Sequence, residues 1–93
     1  MRITGYIEHP VFKITIFKMD NKFSVKFETP QFEQTYKFRI GEGIENEADI
    51  RKLVDGPFIT AVAQIFQQMN QHKLQSFSRH LDTSEKDEFD VII

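Results

Sequence analysis

At 93 residues, 40% of them hydrophobic and 13% aromatic, with ten Phe, the chain can build one two-layer domain but not two. It has no cysteine, which excludes a disulfide framework and thiolate chemistry, and no apolar run long enough for a signal or membrane segment. The formal net charge is −2, and the expectation is a soluble, cytoplasmic chain.

The first forty residues hold four runs in which apolar and polar residues alternate, the period of a strand with one covered and one solvated face. In the first, a two-residue turn at His9-Pro10 would set Ile7 opposite Phe12, Gly5 opposite Ile14 and Ile3 opposite Ile16. Proline is unusual at the second turn position and can force a longer connection or a bulge. The second run, Phe12 to Met19, meets the third through Asp20-Asn21, residues that tolerate positive φ in a primed hairpin turn. Counting from that turn pairs Met19 with Lys22, Lys18 with Phe23, Ile16 with Val25, Ile14 with Phe27 and Lys13 with Glu28. Apolar then meets apolar and charge meets opposite charge, and a slip of one residue would undo all of it. A Pro30-Gln31 turn places Phe23, Val25 and Phe27 opposite Phe38, Tyr36 and Gln34, leaving only Glu28 against Glu33 unfavourable. The prediction is a four-stranded antiparallel meander. Its inner face carries Ile3, Ile7, Phe12, Ile14, Ile16, Phe23, Val25, Phe27, Tyr36, Phe38 and Ile40.

Gly41-Glu42-Gly43 is the turn from sheet to helices. Asn46 can cap a short helix running through Val54, with Glu47 and Asp49 at its positive end and Ile50, Leu53 and Val54 on one stripe. Asp55-Gly56-Pro57 ends it and opens the next, whose stripe is Phe58, Ile59, Val62, Ile65, Phe66 and Met69. Beyond Asn70 that stripe meets Lys73, Ser76 and His80, while Leu74, Phe77 and Leu81 fall on a face rotated by roughly 60–80°. A helix from Pro57 to Arg79 would be about 34 Å long against strands of about 27 Å, so either it breaks near Asn70 or its end contacts something else. Gln64, Gln67, Gln68, Gln71 and Gln75 read as a solvated helical face. The fold class expected is therefore α+β, two-layered, with a short and a longer helix packed on one face of the meander. Residues 1–81 form the expected single domain and 82–93 an acidic C-terminal tail, in which Phe89, Val91 and Ile93 alternate like an added edge strand.

Charge divides along the chain. Residues 1–40 hold seven Lys/Arg against four Asp/Glu, and residues 41–93 hold five against ten. The register gathers Arg2, Lys13, Lys22, Lys26, Lys37 and Arg39 on the outer sheet face against Glu8, Glu28 and Glu33, with Tyr6 and Phe17 among them. Cations for phosphates and rings for stacking bases are what single-stranded nucleic acid binders use, so Tyr6, Lys13, Phe17, Lys26, Lys37 and Arg39 are the candidates for that activity. An ordinary solvated sheet, with lysines resisting edge pairing, uses the same residues. Four antiparallel strands followed by helix resembles the element order of PUR repeats and Whirly domains, both single-strand binders. The resemblance covers roughly residues 2–80 in order alone, carries no sequence signature, and transfers no residue.

A competing reading begins from the apolar residues on the same outer face. Val11, Phe17 and Met19 lie along the second run near Tyr6, more than a solvated face usually shows, and a second copy of the chain or the C-terminal segment could cover them. With Leu74, Phe77 and Leu81 they are the candidate partner-binding residues. No catalytic constellation accompanies them. His72 and His80 would be about 12 Å apart along a continuous helix, too far to share a metal as an i, i+4 pair can. His9 has no nearby nucleophile, Ser76, Ser78 and Ser84 lack an oxyanion motif, and Gly41-Glu42-Gly43 lacks the third glycine of a dinucleotide site. The expectation is a non-enzymatic binding or assembly module, without cofactor, metal or membrane, that forms a homodimer or binds another protein; the alternative is single-stranded nucleic acid binding by the outer face.

Overall fold

A computed structural model describes residues 1–41 and 43–86. Four strands, β1 (Arg2–Ile7), β2 (Lys13–Met19), β3 (Lys22–Glu28) and β4 (Glu33–Arg39), are followed by α1 (Glu47–Leu53) and α2 (Gly56–Lys86). The strands form one antiparallel sheet in the order β1-β2-β3-β4, so the architecture is the expected α+β meander with helices after the sheet. The alternation of Phe89, Val91 and Ile93 lies outside the described residues.

The β2–β3 hairpin has the predicted register from Met19↔Lys22 to Lys13↔Glu28, and Asp20 takes the left-handed turn position at φ 53°. Between β3 and β4 the pairs Phe23↔Phe38, Val25↔Tyr36, Phe27↔Gln34 and Glu28↔Glu33 are also those expected. Thr29 closes that turn from both sides: its N–H donates to the Phe32 carbonyl at 2.9 Å, and its Oγ1 accepts the Phe32 N–H at 3.1 Å.

β1 departs from expectation twice. The connection to β2 is five residues long, Glu8 to Phe12, so Ile7 pairs with Ile14 and Gly5 with Ile16, two positions from the predicted partners. Proline explains the lengthening, since Pro10 does not fit the second position of a two-residue turn. The longer loop has its own closure. His9 Nδ1 accepts the N–H groups of Val11 at 3.1 Å and Phe12 at 3.2 Å, and its ring stacks on Phe12 at 4.8 Å. A bulge between Ile3 and Gly5 then changes the phase of the strand, so Ile3 pairs with Phe17 and Arg2 with Lys18. Ile3, expected inside, stands on the outer face at 49% exposed, and Arg2 leaves that face.

Two compact units divide the chain after Ala63, with α2 contributing to both. In the first unit Ile14, Ile16, Phe23, Val25 and Phe27 of the sheet are buried, as are Ile50 of α1, Val54 at its C-cap and Val62 of α2. Complete burial of one such side chain stabilises by about 1.5–3 kcal/mol. Asn46 caps α1 in a reciprocal box with Asp49, and the Glu47–Arg51 ion pair, 2.7 Å, lies against Gly5 of β1. A Cβ at Gly5 would stand 2.7 Å from Glu47 Oε2, so the absence of a side chain there is what lets the ends of the Glu47 and Arg51 side chains lie against β1. Asp55 Oδ1 accepts the Phe58 N–H at 3.0 Å at the start of α2, which places the Phe58 ring 5.7 Å from Phe27 and 5.0 Å from Tyr36. Gln34 Nε2 donates to the Val62 carbonyl at 3.0 Å.

In the second unit, α2 continues without a break through Asn70. Phe66 is buried and Met69 half-buried, but Asn70 to Asp82 are all exposed. The apolar stripe therefore does change face within one continuous helix.

Candidate functional site

Register assigns the outer face row by row. Ile3, Phe17, Ser24 and Lys37 form one row; Tyr6, Thr15, Lys26 and Thr35 form the next. Met19, Lys22 and Arg39 lie at one end, and Lys13, Glu28 and Glu33 at the other. The face is thereby divided across its width: β1 and β2 carry Ile3, Tyr6, Phe17 and Met19, while β3 and β4 carry most of the cations.

Within the first unit, α1 and the first turns of α2 meet the face opposite this apolar half. Tyr6 is 53% and Met19 42% exposed, and Phe17 is half-buried. Thr15, between Tyr6 and Lys26 in its row, is only 2% exposed, so the outer side chains already lie over one another closely enough to bury a residue at their centre. Among the expected partner-binding residues, Phe17 and Met19 share this face. Val11 belongs to the β1–β2 connection rather than to β2, and is exposed beside His9. Leu74, Phe77 and Leu81 occupy one side of α2 by their i, i+3, i+7 spacing, each more than half exposed.

All six expected nucleic-acid contacts lie on the outer face, though they are not electrostatically equivalent. Lys26 is shared between Glu28 at 3.7 Å and Glu33 at 3.5 Å, and Lys13 stands opposite Glu28. Among the described residues no ion pair engages Lys22, Lys37 or Arg39, which converge at the Met19 end. Lys13, at the opposite end, has no ion pair among the described residues either, so three of the four unengaged cations of this face gather at one corner.

Ile3 is the outer-face residue that sequence reasoning placed wrongly. The signal for it was present in Pro10 and Gly5, a proline that lengthens the hairpin and a glycine of the kind that accompanies bulges. His72 and His80 are both exposed on α2, and among the described residues no group of three His, Cys, Asp or Glu could hold a metal ion. No helix among them is long and apolar enough to cross a membrane. Comparison with known proteins gives no match, whether to a protein family, a curated protein or a solved structure.

Proposed function

We propose that the chain is a small, non-enzymatic, cytoplasmic binding and assembly module that associates with copies of itself through the outer face of its sheet. The observation that carries this reading is the exposed apolar half of that face, where Ile3, Tyr6 and Met19 are 49%, 53% and 42% exposed around Phe17. Apolar side chains grouped on an uncovered sheet gain free energy when a partner removes them from water, at about 25 cal/mol per Å². Val11 lies in the loop joining β1 to β2, and Leu74, Phe77 and Leu81 offer a second apolar strip on α2.

A second reading is favoured by the corner of unengaged cations. Lys22, Lys37 and Arg39 adjoin Phe17 and Met19, so single-stranded nucleic acid could place phosphates on the first three and a base on Phe17. Light scattering across protein concentration, with and without a mixed-sequence single-stranded oligonucleotide at low salt, separates the two. Self-association predicts a mass that rises with protein concentration, ignores the oligonucleotide and falls in Phe17→Glu. Nucleic acid binding predicts a mass increase only with oligonucleotide, lost at high salt. A single-chain mass under all conditions contradicts both readings.

A further inference from the structure

Among the described residues, β1 and β4 are the two edges of the sheet, and they differ. β1 has six residues and is interrupted by the bulge between Ile3 and Gly5, a feature that breaks the ladder a neighbouring strand would need. β4 has seven residues, Glu33 to Arg39, with neither bulge nor proline. Its inward hydrogen bonds come from even-numbered positions. The Ile40 N–H donates to the Asn21 carbonyl at 2.8 Å, and the Phe32 carbonyl accepts the Thr29 N–H at 2.9 Å. Alternation therefore turns the main-chain groups of Glu33, Thr35, Lys37 and Arg39 toward the free edge.

We propose that β4 is a second self-association surface, pairing antiparallel with β4 of another copy about a two-fold axis at Tyr36 to make one eight-stranded sheet. The strand reads Glu-Gln-Thr-Tyr-Lys-Phe-Arg, and reversing it about its centre sets Glu33 opposite Arg39 of the second copy, Thr35 opposite Lys37, and Gln34 opposite Phe38. Each of these pairs then occurs twice, Tyr36 meets itself on the axis, and both ends of the interface join opposite charges. Sliding the second strand by two residues is worse in either direction. One slide brings Lys37 against Lys37; the other sets Glu33 against Lys37 but takes Arg39 beyond the partner strand, opposite Gln31, and leaves its charge unmatched. The centred register also uses the full length of both strands. It pairs the outward main-chain groups of the odd-numbered residues in about eight hydrogen bonds, and it brings Tyr36, half-buried in one chain, against Tyr36 of the second copy and Phe38 against Gln34. The exposed ion pairs add little affinity and serve mainly to choose the register.

This surface goes beyond the outer-face contact and shares no residue with its apolar half. Two different two-fold contacts on one chain build assemblies larger than a dimer. The experiment is light scattering of the full chain in a Phe17→Glu background, where the outer-face contact is disabled. The inference predicts that Phe17→Glu retains a dimer. Adding Glu33→Arg or Arg39→Glu alone should weaken that dimer at least about tenfold, because like charges then meet at both ends. Mixing the two reversed chains should restore it, since one then carries a guanidinium at each end of the strand and the other a carboxylate. Thr35→Pro should also abolish it, with the β3–β4 ladder intact, because that N–H points outward. Amide exchange at Thr35 and Lys37 should slow as protein concentration rises.

A monomeric Phe17→Glu chain would overturn the edge contact while leaving the outer-face reading in place. A dimer indifferent to both charge reversals would overturn it as well. So would slow exchange at Thr35 and Lys37 that does not depend on concentration, which would mean that the chain's own residues 87–93 occupy the edge.

Discussion

The two faces of β2 are built from similar residues and meet different fates. Ile14 and Ile16 are 1% and 0% exposed, whereas Phe17 and Met19 remain half-buried and 42% exposed. Hydrophobicity alone cannot separate them; the position of the cover does. Phe58 reaches Phe27 and Tyr36 from α2, and α1 lies against Gly5, all on one side of the sheet. The inner apolar residues thus complete a core within the first unit, while Phe17 and Met19 on the outer face keep part of their surface exposed.

Substitutions can test how far that division holds. The largest loss should follow Phe27→Ala, which removes a fully buried ring held between Tyr36 and Phe58 and should cost about 3–5 kcal/mol in urea unfolding. Phe17→Glu should cost far less stability, about 1 kcal/mol, while reducing the solution mass. A Phe17 variant as unstable as the Phe27 variant would erase the distinction between the faces.

Much of this was legible in advance because short turns transmit register. Asp20-Asn21 and Pro30-Gln31 each fix a pairing that carries every residue of two strands to a definite face, and β2, β3 and β4 follow it. The capping residue Asn46 announces α1 in the same local way. β1 was harder to read because its register depends on a five-residue loop closed by His9 and on a bulge, which hydrophobic alternation does not encode. The continuity of α2 past Asn70 was equally hidden, since backbone hydrogen bonds carry a helix onward after its apolar stripe has changed face. For the candidate site, alternation located Phe17, Met19, Lys37 and Arg39 but could not reveal which cations a carboxylate already engages.

Smaller effects sharpen the contrast at the β1 end. Asn46→Ala should cost about 1 kcal/mol by thermal or chemical unfolding, since it removes one half of the capping box. His9→Ala should cost a similar amount by leaving the Val11 and Phe12 N–H groups without their acceptor, whereas His9→Asn, whose Oδ1 can serve an equivalent turn, should recover most of it. Gly5→Ala should be the mildest, below about 1 kcal/mol, because the atoms it meets are the ends of the Glu47 and Arg51 side chains, which can swing away by giving up an exposed ion pair.

The central claim is that the outer face of the sheet is a contact surface and the inner face a core. Sedimentation equilibrium of the parent chain beside Phe17→Glu, with far-ultraviolet circular dichroism on the same samples, tests it most directly. The account predicts a parent heavier than one chain and a lighter Phe17→Glu with an unchanged spectrum; equal masses for the two folded proteins would contradict it.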